Sequence, residues 1–283
     1  MTGDTMPEIK LITIDLDHTL LDADRNISER NRRAVLAAVD AGVTVAIATG
    51  RSHESARTYA QKLEIDAPII SYNGAMIRRP GDDEPMRHVR LEADLAAEIV
   101  ETLVHDMIDF LYFLDNKLYV AKFDRWARRY LARTGDHAII AGDMRRFAGE
   151  RPTKLLMVGR PEQTRERHER FSQEYGDRIY CTISLPEYME ILNPDATKAT
   201  ALRWLADHLG VSMEQTMALG DSLNDLEMVQ AAGVGVFMPC ADDDLREHAD
   251  FVPEDQDGGV GEALEKLALS HAPAVSEPED GDD

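Results

Sequence analysis

Cysteine is scarce. The chain of 283 residues has two, Cys181 and Cys240, and neither sits in a CxxC pair. That excludes a disulfide framework and a cysteine-rich zinc site, and leaves the expectation of two reduced, mostly buried thiols. Long apolar runs are missing too. None approaches the ~18 residues of a membrane span. The opening MTGDTMPEIK lacks the basic start and apolar stretch of a secretory signal, so the expected location is cytoplasmic. Positive charge is in short supply, with 31 basic residues against 53 acidic ones and a net charge of −22. Such a surface repels nucleic acid and anionic membranes, so neither is an expected partner. The basic residues are mostly Arg. An acidic, Lys-poor surface suits a salty cytoplasm as well as an ordinary one. No repeat or low-complexity tract precedes the acidic ending SEPEDGDD, and residues 271–283 are expected to be disordered.

What is present is a core-forming chain, 43% hydrophobic, with an alternating rhythm. Ile9 to Ile14 is apolar and β-branched, which suits a strand buried on both faces. A helix follows, capped by Ser28 and closed at Gly42. The run Val43 to Ala48 predicts a second strand, Ser52 to Leu63 a second helix, and Pro68-Ile69-Ile70 a third strand. This is the pattern of a parallel α/β sheet with right-handed crossovers. The rhythm changes at the turn cluster Arg79 to Asp83. A mixed stretch follows: helices at Ala93–His105, Phe123–Arg133 and from Pro161, a hairpin at Phe110–Val120, and strands at Lys154–Val158, Ile179–Ile183 and Tyr188–Leu192. The parallel rhythm then resumes with a helix at Thr197–Leu209, a strand at Thr216–Leu219, a helix at Leu226–Ala232 and a strand at Val234–Met238. The expected organisation is an α/β core made of residues 1–80 and 186–270, split by an inserted α+β module at 81–185.

Open parallel sheets bind ligands beyond the carboxyl ends of their strands. Three polar clusters fall at such ends: Asp15 and Asp17, then Thr49-Gly50-Arg51, then Asp221, Asn224 and Asp225. Adjacent strands would gather at least three carboxylates in one crevice, which is costly unless a cation neutralises them. Oxygen-only ligands favour a hard cation, and Mg2+ fits best. Magnesium among carboxylates suggests phosphoryl chemistry. Lys198, near a helix start, can add a point charge, and the amides around Thr49 and Gly50 can add donors.

Taken in order, Asp15-Leu16-Asp17-His18-Thr19-Leu20-Leu21, Ala48-Thr49-Gly50-Arg51, Lys198 and Gly220-Asp221-Ser222-Leu223-Asn224-Asp225 resemble the four motifs of the haloacid dehalogenase (HAD) superfamily. Ser71-Tyr72-Asn73-Gly74-Ala75, Gln256-Asp257-Gly258-Gly259-Val260 and the position of the insertion resemble its Cof-type (IIB) branch. The resemblance spans about Lys10 to Leu267. It implies a HAD-like parallel-sheet core with an α+β cap, and a Mg-dependent phosphatase acting on a small phosphorylated metabolite. Asp15 would be the nucleophile and Asp17 the acid and base. Thr49, Gly50 and Asn224 would contact the phosphoryl group, and Lys198 would offset its charge. The Asp15 carboxylate, the Asp17 backbone carbonyl and Asp221 would hold the metal, with Asp225 behind them orienting Lys198 or a metal-bound water. Asn73 is a further candidate for substrate contact. Arg51 is open between a substrate contact and an ion pair with an acidic neighbour. The sequence departs from the pattern at His18, where the family usually has Gly, at Ala199, and at Cys240, which puts a hydrogen bond that holds the backbone in doubt.

Overall fold

The computed structural model describes residues 8–269. The expected disordered tail, 271–283, lies outside the described residues. Among the described residues, thirteen strands form three sheets. The four-stranded parallel sheet runs in the order β13 (Val234–Phe237), β12 (Thr216–Gly220), β1 (Leu11–Ile14), β2 (Thr44–Ile47). Its strands are buried along nearly their whole length, as expected for a sheet covered on both faces. The helices α1 (Glu29–Asp40), α2 (His53–Lys62), α6 (Lys198–Leu209), α7 (Leu226–Ala231), the short α8 (Asp243–Arg246) and α9 (Gly259–Leu267) belong to the same unit. Apolar residues of α1, α2 and α9 form one cluster with the sheet, and those of α6 and α7 form another. Ser28 caps α1 by accepting the Asn31 amide, as its sequence position implies.

A small antiparallel sheet of β3 (Ile69–Ser71), β4 (Met76–Arg78) and β5 (Arg87–His88) extends this unit through a parallel bridge between Ala48 and Ile70. The turn cluster 79–83 is the loop between β4 and β5.

The remaining strands build one six-stranded sheet in the order β10 (Tyr180–Leu185), β11 (Tyr188–Leu192), β9 (Lys154–Val158), β6 (Leu111–Leu114), β7 (Lys117–Val120), β8 (Ala138–Ile140). Neighbours are antiparallel except β7 and β8. On one face, α3 (Ala93–His105) and α5 (Pro161–Tyr175) pack over Tyr112, Leu155, Met157, Met189 and Ile191. On the other, Leu111, Phe113, Leu156, Val158, Tyr188 and Leu192 meet α4 (Arg125–Thr134) and, from the parallel unit, Tyr72, Ala75 and Met76.

Two expected limits need correction. The chain leaves the parallel unit after β5, near residues 89–91, and not at 80. It returns after Leu192, and not at 186. Leu185 pairs with Tyr188 inside the β10–β11 hairpin, so Pro186 makes the turn of that hairpin and not an exit from the module. Proline presets a turn conformation, and sequence alone does not separate a hairpin turn from a hinge. Both thiols are free, but their burial differs from expectation: Cys181 is half-buried and Cys240 is exposed on the loop after β13.

One contact fixes how the layers meet, and a second fixes the turn between β3 and β4 against α6. Lys154 and Glu190 lie on the face of the six-stranded sheet turned toward the parallel unit, 1% and 2% exposed by side chain, and paired at 2.6 Å. The same ammonium donates to the Gly50 carbonyl at 2.7 Å and lies 4.9 Å from the centre of the Phe113 ring. Ser184 donates to the second Glu190 oxygen. The other contact is at Gly74, whose φ is +102°. A Cβ there would come within 2.1 Å of the Thr197 carbonyl oxygen, at the cap of α6.

Gly74→Ala should therefore destabilise the protein by more than about 2 kcal/mol, combining an unfavourable backbone conformation with a clash. Urea unfolding would measure it, and a loss under about 0.5 kcal/mol would mean that the turn relaxes freely. Lys154→Met should cost about 3 kcal/mol because it strands a buried carboxylate. Lys154→Met combined with Glu190→Met should regain most of that loss in the same assay.

Candidate active site

The register of the parallel sheet puts Ile14 opposite both Ile47 and Leu219. The chain therefore leaves β1, β2 and β12 at one level, and Asp15, Thr49 and Asp221 emerge side by side. Carboxylate oxygens of Asp15, Asp221 and Asp225 all lie within 4.8 Å of one another. Lys198, the first residue of α6, is fully buried and reaches Asp15 at 2.5 Å and Asp225 at 2.6 Å. Thr197 caps that helix by accepting the Thr200 amide, which fixes where the lysine starts. Asp225 is held by its own loop. Its other oxygen accepts the amides of Asp221 and Ser222, both at 3.2 Å. Gly220 makes room for this fold-back, since a Cβ there would lie 2.4 Å from the Asp225 Cβ.

The charges do not balance. Three carboxylates share one ammonium. Burial pushes the Asp15 carboxyl up to about 7. Lys198 opposes that rise, while Asp225 and Asp17 add to it. Asp221 is pushed well above the usual carboxylate range, first by burial and then by Asp15 and Asp225. Its bond from Thr19 at 3.0 Å works the other way. Lys198 keeps its proton well beyond the ordinary lysine range, because the two aspartates outweigh its burial. An oxygen-only pocket short of one or two positive charges suits a hard divalent cation, and the donor set fits one.

Asp17 is arranged differently. Its carboxylate is turned away from the cluster, so any share it takes in binding a cation falls to its backbone carbonyl, the atom the resemblance implies. Arg51 grips both carboxylate oxygens at 2.7 Å, and Arg133 reaches one at 3.2 Å. Burial would raise this carboxyl, but the bonds from Arg51 and the charges of Arg51 and Arg133 hold it down to about 2. Of the two possibilities for Arg51, the ion pair is the one formed.

Thr49 and Asn224 stand on the wall of a small cavity of about 40 Å³ beside Asp15 and Asp17. Asn73 does not. It is fully buried behind Asn224, whose amide donates to it at 2.9 Å. The Gly50 carbonyl is taken by Lys154.

The departures at His18 and Cys240 are accommodated. His18 has a φ of +64°, the left-handed conformation that a glycine adopts freely. Its carbonyl accepts Gln256 at 2.8 Å and the Cys240 thiol at 3.7 Å. The His18 carbonyl is thus held chiefly by Gln256.

The six-stranded module and α4 add, among others, Tyr130, Arg133, Lys154, Ser184, Tyr188 and Glu190 to the cavity wall. Sequence reading singled out none of them. For two there was a signal, because Lys154 and Glu190 are ionised residues inside otherwise apolar strands, KLLMV and YMEIL. Such residues are rarely buried without a specific partner.

With this geometry in place, comparison with known proteins gives a consistent picture. Residues 12–264 match the family described as haloacid dehalogenase-like hydrolase. The chain is 31% identical over 240 residues to a Bacillus subtilis 5-amino-6-(5-phospho-D-ribitylamino)uracil phosphatase, covering 81% of this chain and 86% of that one. It is 29% identical to an HMP-PP phosphatase of Cronobacter sakazakii, with 81% and 84% covered. A crystal structure of a haloacid dehalogenase-like hydrolase from Bacteroides thetaiotaomicron superposes with a TM-score of 0.81 at 26% identity, over 92% of this chain and 100% of that one. Sequence match, sheet order and gathered motifs agree: the chain belongs to the haloacid dehalogenase-like hydrolases.

Proposed function

We propose that the protein is a Mg2+-dependent phosphatase that hydrolyses a small phosphate monoester through an aspartyl-phosphate on Asp15. The observation that carries this reading is the cluster of Asp15, Asp221 and Asp225 around a fully buried Lys198, at the carboxyl end of the parallel sheet. The names of its relatives support the substrate class, since both are phosphatases of small phosphorylated metabolites.

In this reading each residue has a task its surroundings suit. One Asp15 oxygen is fixed by Lys198, which aims the other at phosphorus. Attack forms the Asp15–phosphorus bond and expels the leaving oxygen. Thr49 and Asn224, on the cavity wall, would hold the phosphoryl oxygens. Magnesium, held by the Asp15 and Asp221 carboxylates and the Asp17 carbonyl, would supply the charge that lets a dianion approach these aspartates. Asp17 would give a proton to the leaving oxygen and take one from the water that cleaves the acyl phosphate. As it stands, the two arginines keep Asp17 ionised, which is the form that accepts the water's proton. For Asp17 to act first as an acid, the grip of Arg51, the larger influence, must loosen as well as that of Arg133 from α4 of the inserted module. We also assign selectivity to the module, because the parallel-sheet residues are all occupied with the phosphoryl group, the cation or the water.

A screen of inorganic phosphate release over many phosphometabolites tests the reading as a whole. Asp15→Asn should reduce turnover below about a hundredth of the parent while leaving the urea midpoint near its original value. A variant that retains more than that rules out the covalent route. Chelation should abolish turnover and Mg2+ should restore it. Ca2+ should not substitute, because its looser, larger coordination shell disturbs in-line geometry. Full turnover in chelator would eliminate the metal.

A further inference from the structure

The path away from Asp15 leads past Asp17 into a space where positive charge accumulates. A cavity of about 310 Å³ opens there, lined by Asp17, Asp22, Arg25, Arg129 and Arg133 among others. It meets a second cavity of about 510 Å³ at Arg25 and Arg133, lined also by Arg51, Lys117, Glu54 and Asp136; Glu54 is paired with Arg57 and Arg78, and Asp136 accepts from Ser52 and Tyr130. In a chain of net charge −22 this convergence calls for an explanation.

The partners sharpen the point. Arg51 and Arg133 share a single carboxylate, that of Asp17. Arg25 has no carboxylate within 4.0 Å among the described residues. Its guanidinium donates to the neutral backbone carbonyl of Arg133, at 2.5 Å. Three guanidiniums therefore have one carboxylate in direct contact. Arg129 is neutralised by Glu187. Asp22 caps its own turn by accepting the Asn26 amide at 2.8 Å. Arg25 sits in that same turn, whose flanks are joined by a bridge between Leu21 and Ile27, and its φ is +66°. A left-handed arginine is an unfavourable way to build a turn, and here it sends the side chain across the seam to the inserted module. Guanidiniums gathered with too few carboxylates favour an anion, which they can grip with paired N–H donors.

We propose that Arg25 and Arg133 form a subsite for a second anionic group, a carboxylate or a second phosphate, carried by the leaving group. The inference rests on the phosphatase reading, which puts the reacting phosphoryl group at Asp15. It adds a substrate class: phosphate esters with two anionic groups a few bonds apart. Arg25 acts here as a specificity residue and makes no contact with the reacting atoms.

The test compares the full-length protein in Mg2+ with Arg25→Gln and Arg25→Lys. Substrates are glycerol 3-phosphate, with no second anion, 3-phosphoglycerate, with a carboxylate, and a sugar bisphosphate. The parent should favour at least one of the two doubly anionic esters over glycerol 3-phosphate by about tenfold or more in kcat/KM. Which one it favours tells carboxylate from phosphate. Arg25→Gln should remove about tenfold of that preference, mainly through KM, and leave glycerol 3-phosphate within about twofold. Arg25→Lys should recover part of it. Equal kcat/KM for all three in the parent, or one common fall across all three in Arg25→Gln, overturns the subsite. If the parent hydrolyses no ester at all, the phosphatase reading fails separately. Calorimetric titration with pyrophosphate and orthophosphate then decides the subsite. Tighter binding of pyrophosphate that Arg25→Gln abolishes supports it, and equal affinity in both proteins refutes it.

Discussion

The site depends on one buried cation. Lys198 has no exposed surface and lies between Asp15 and Asp225. An ammonium so placed is tolerable only because two carboxylates face it, and those carboxylates are tolerable together only because it is there. Each of the three must arrive from a different part of the chain at one point. The parallel register of β1 and β12 delivers Asp15 and Asp221 to the same level. The fold-back at Gly220 delivers Asp225. The Thr197 cap and the close approach of Gly74 set where α6 begins. A shift of any of these by one residue would leave a charge buried without its partner, which costs several kcal/mol. The electrostatics thereby select the register as strongly as the apolar core does.

The parallel unit was largely legible in the sequence because its signals are local. Each motif sits where an apolar, β-branched run stops, and the alternation of strands and helices puts those stops on one edge. The partner of Arg51 was legible only as one of two possibilities, since nothing nearby in sequence names Asp17. Arg133 was not legible at all: it is 116 positions from Asp17 and reads as an ordinary arginine near the end of an amphipathic helix. Lys154 and Glu190 were readable in principle as ionised residues in apolar strands. Their pairing follows only from sheet order, and the contact of Lys154 with Gly50 only from how the layers pack. The limits of the inserted module went wrong for a related reason. Prolines and turn clusters announce a change of direction without saying whether the chain then pairs with itself or moves to another layer, as Pro186 shows. Asn73 illustrates the same gap at atomic scale. An Asn-Gly pair beside a strand end suggested a ligand contact, whereas the side chain is enclosed and supports Asn224.

The two layers contribute different electrostatics to one cavity. The parallel unit supplies an excess of negative charge around Lys198. The inserted module and the turn at Arg25 supply an excess of positive charge beyond Asp17. Asp17 stands at the boundary, backed by the first set and gripped by the second. In the proposed reading this gradient would orient the ester with its reacting phosphoryl group toward Asp15.

The position of β1 has a consequence for how the protein is made. β1 is synthesised ahead of every other strand of its sheet, yet it is an inner strand, and its partner on one side, β12, begins at Thr216, opposite Leu11. About 200 residues of translation separate them. At a synthesis rate of roughly 5–20 residues per second, that edge of β1 waits roughly 10–40 s for its neighbour. For most of that interval the nascent chain carries Asp15 without Lys198, and for all of it without Asp221, next to an open row of backbone donors and acceptors. The whole inserted module is synthesised during the wait and can fold on the tether before the sheet beneath it closes. The last clasp comes later still, when Gln256 emerges and takes the His18 carbonyl.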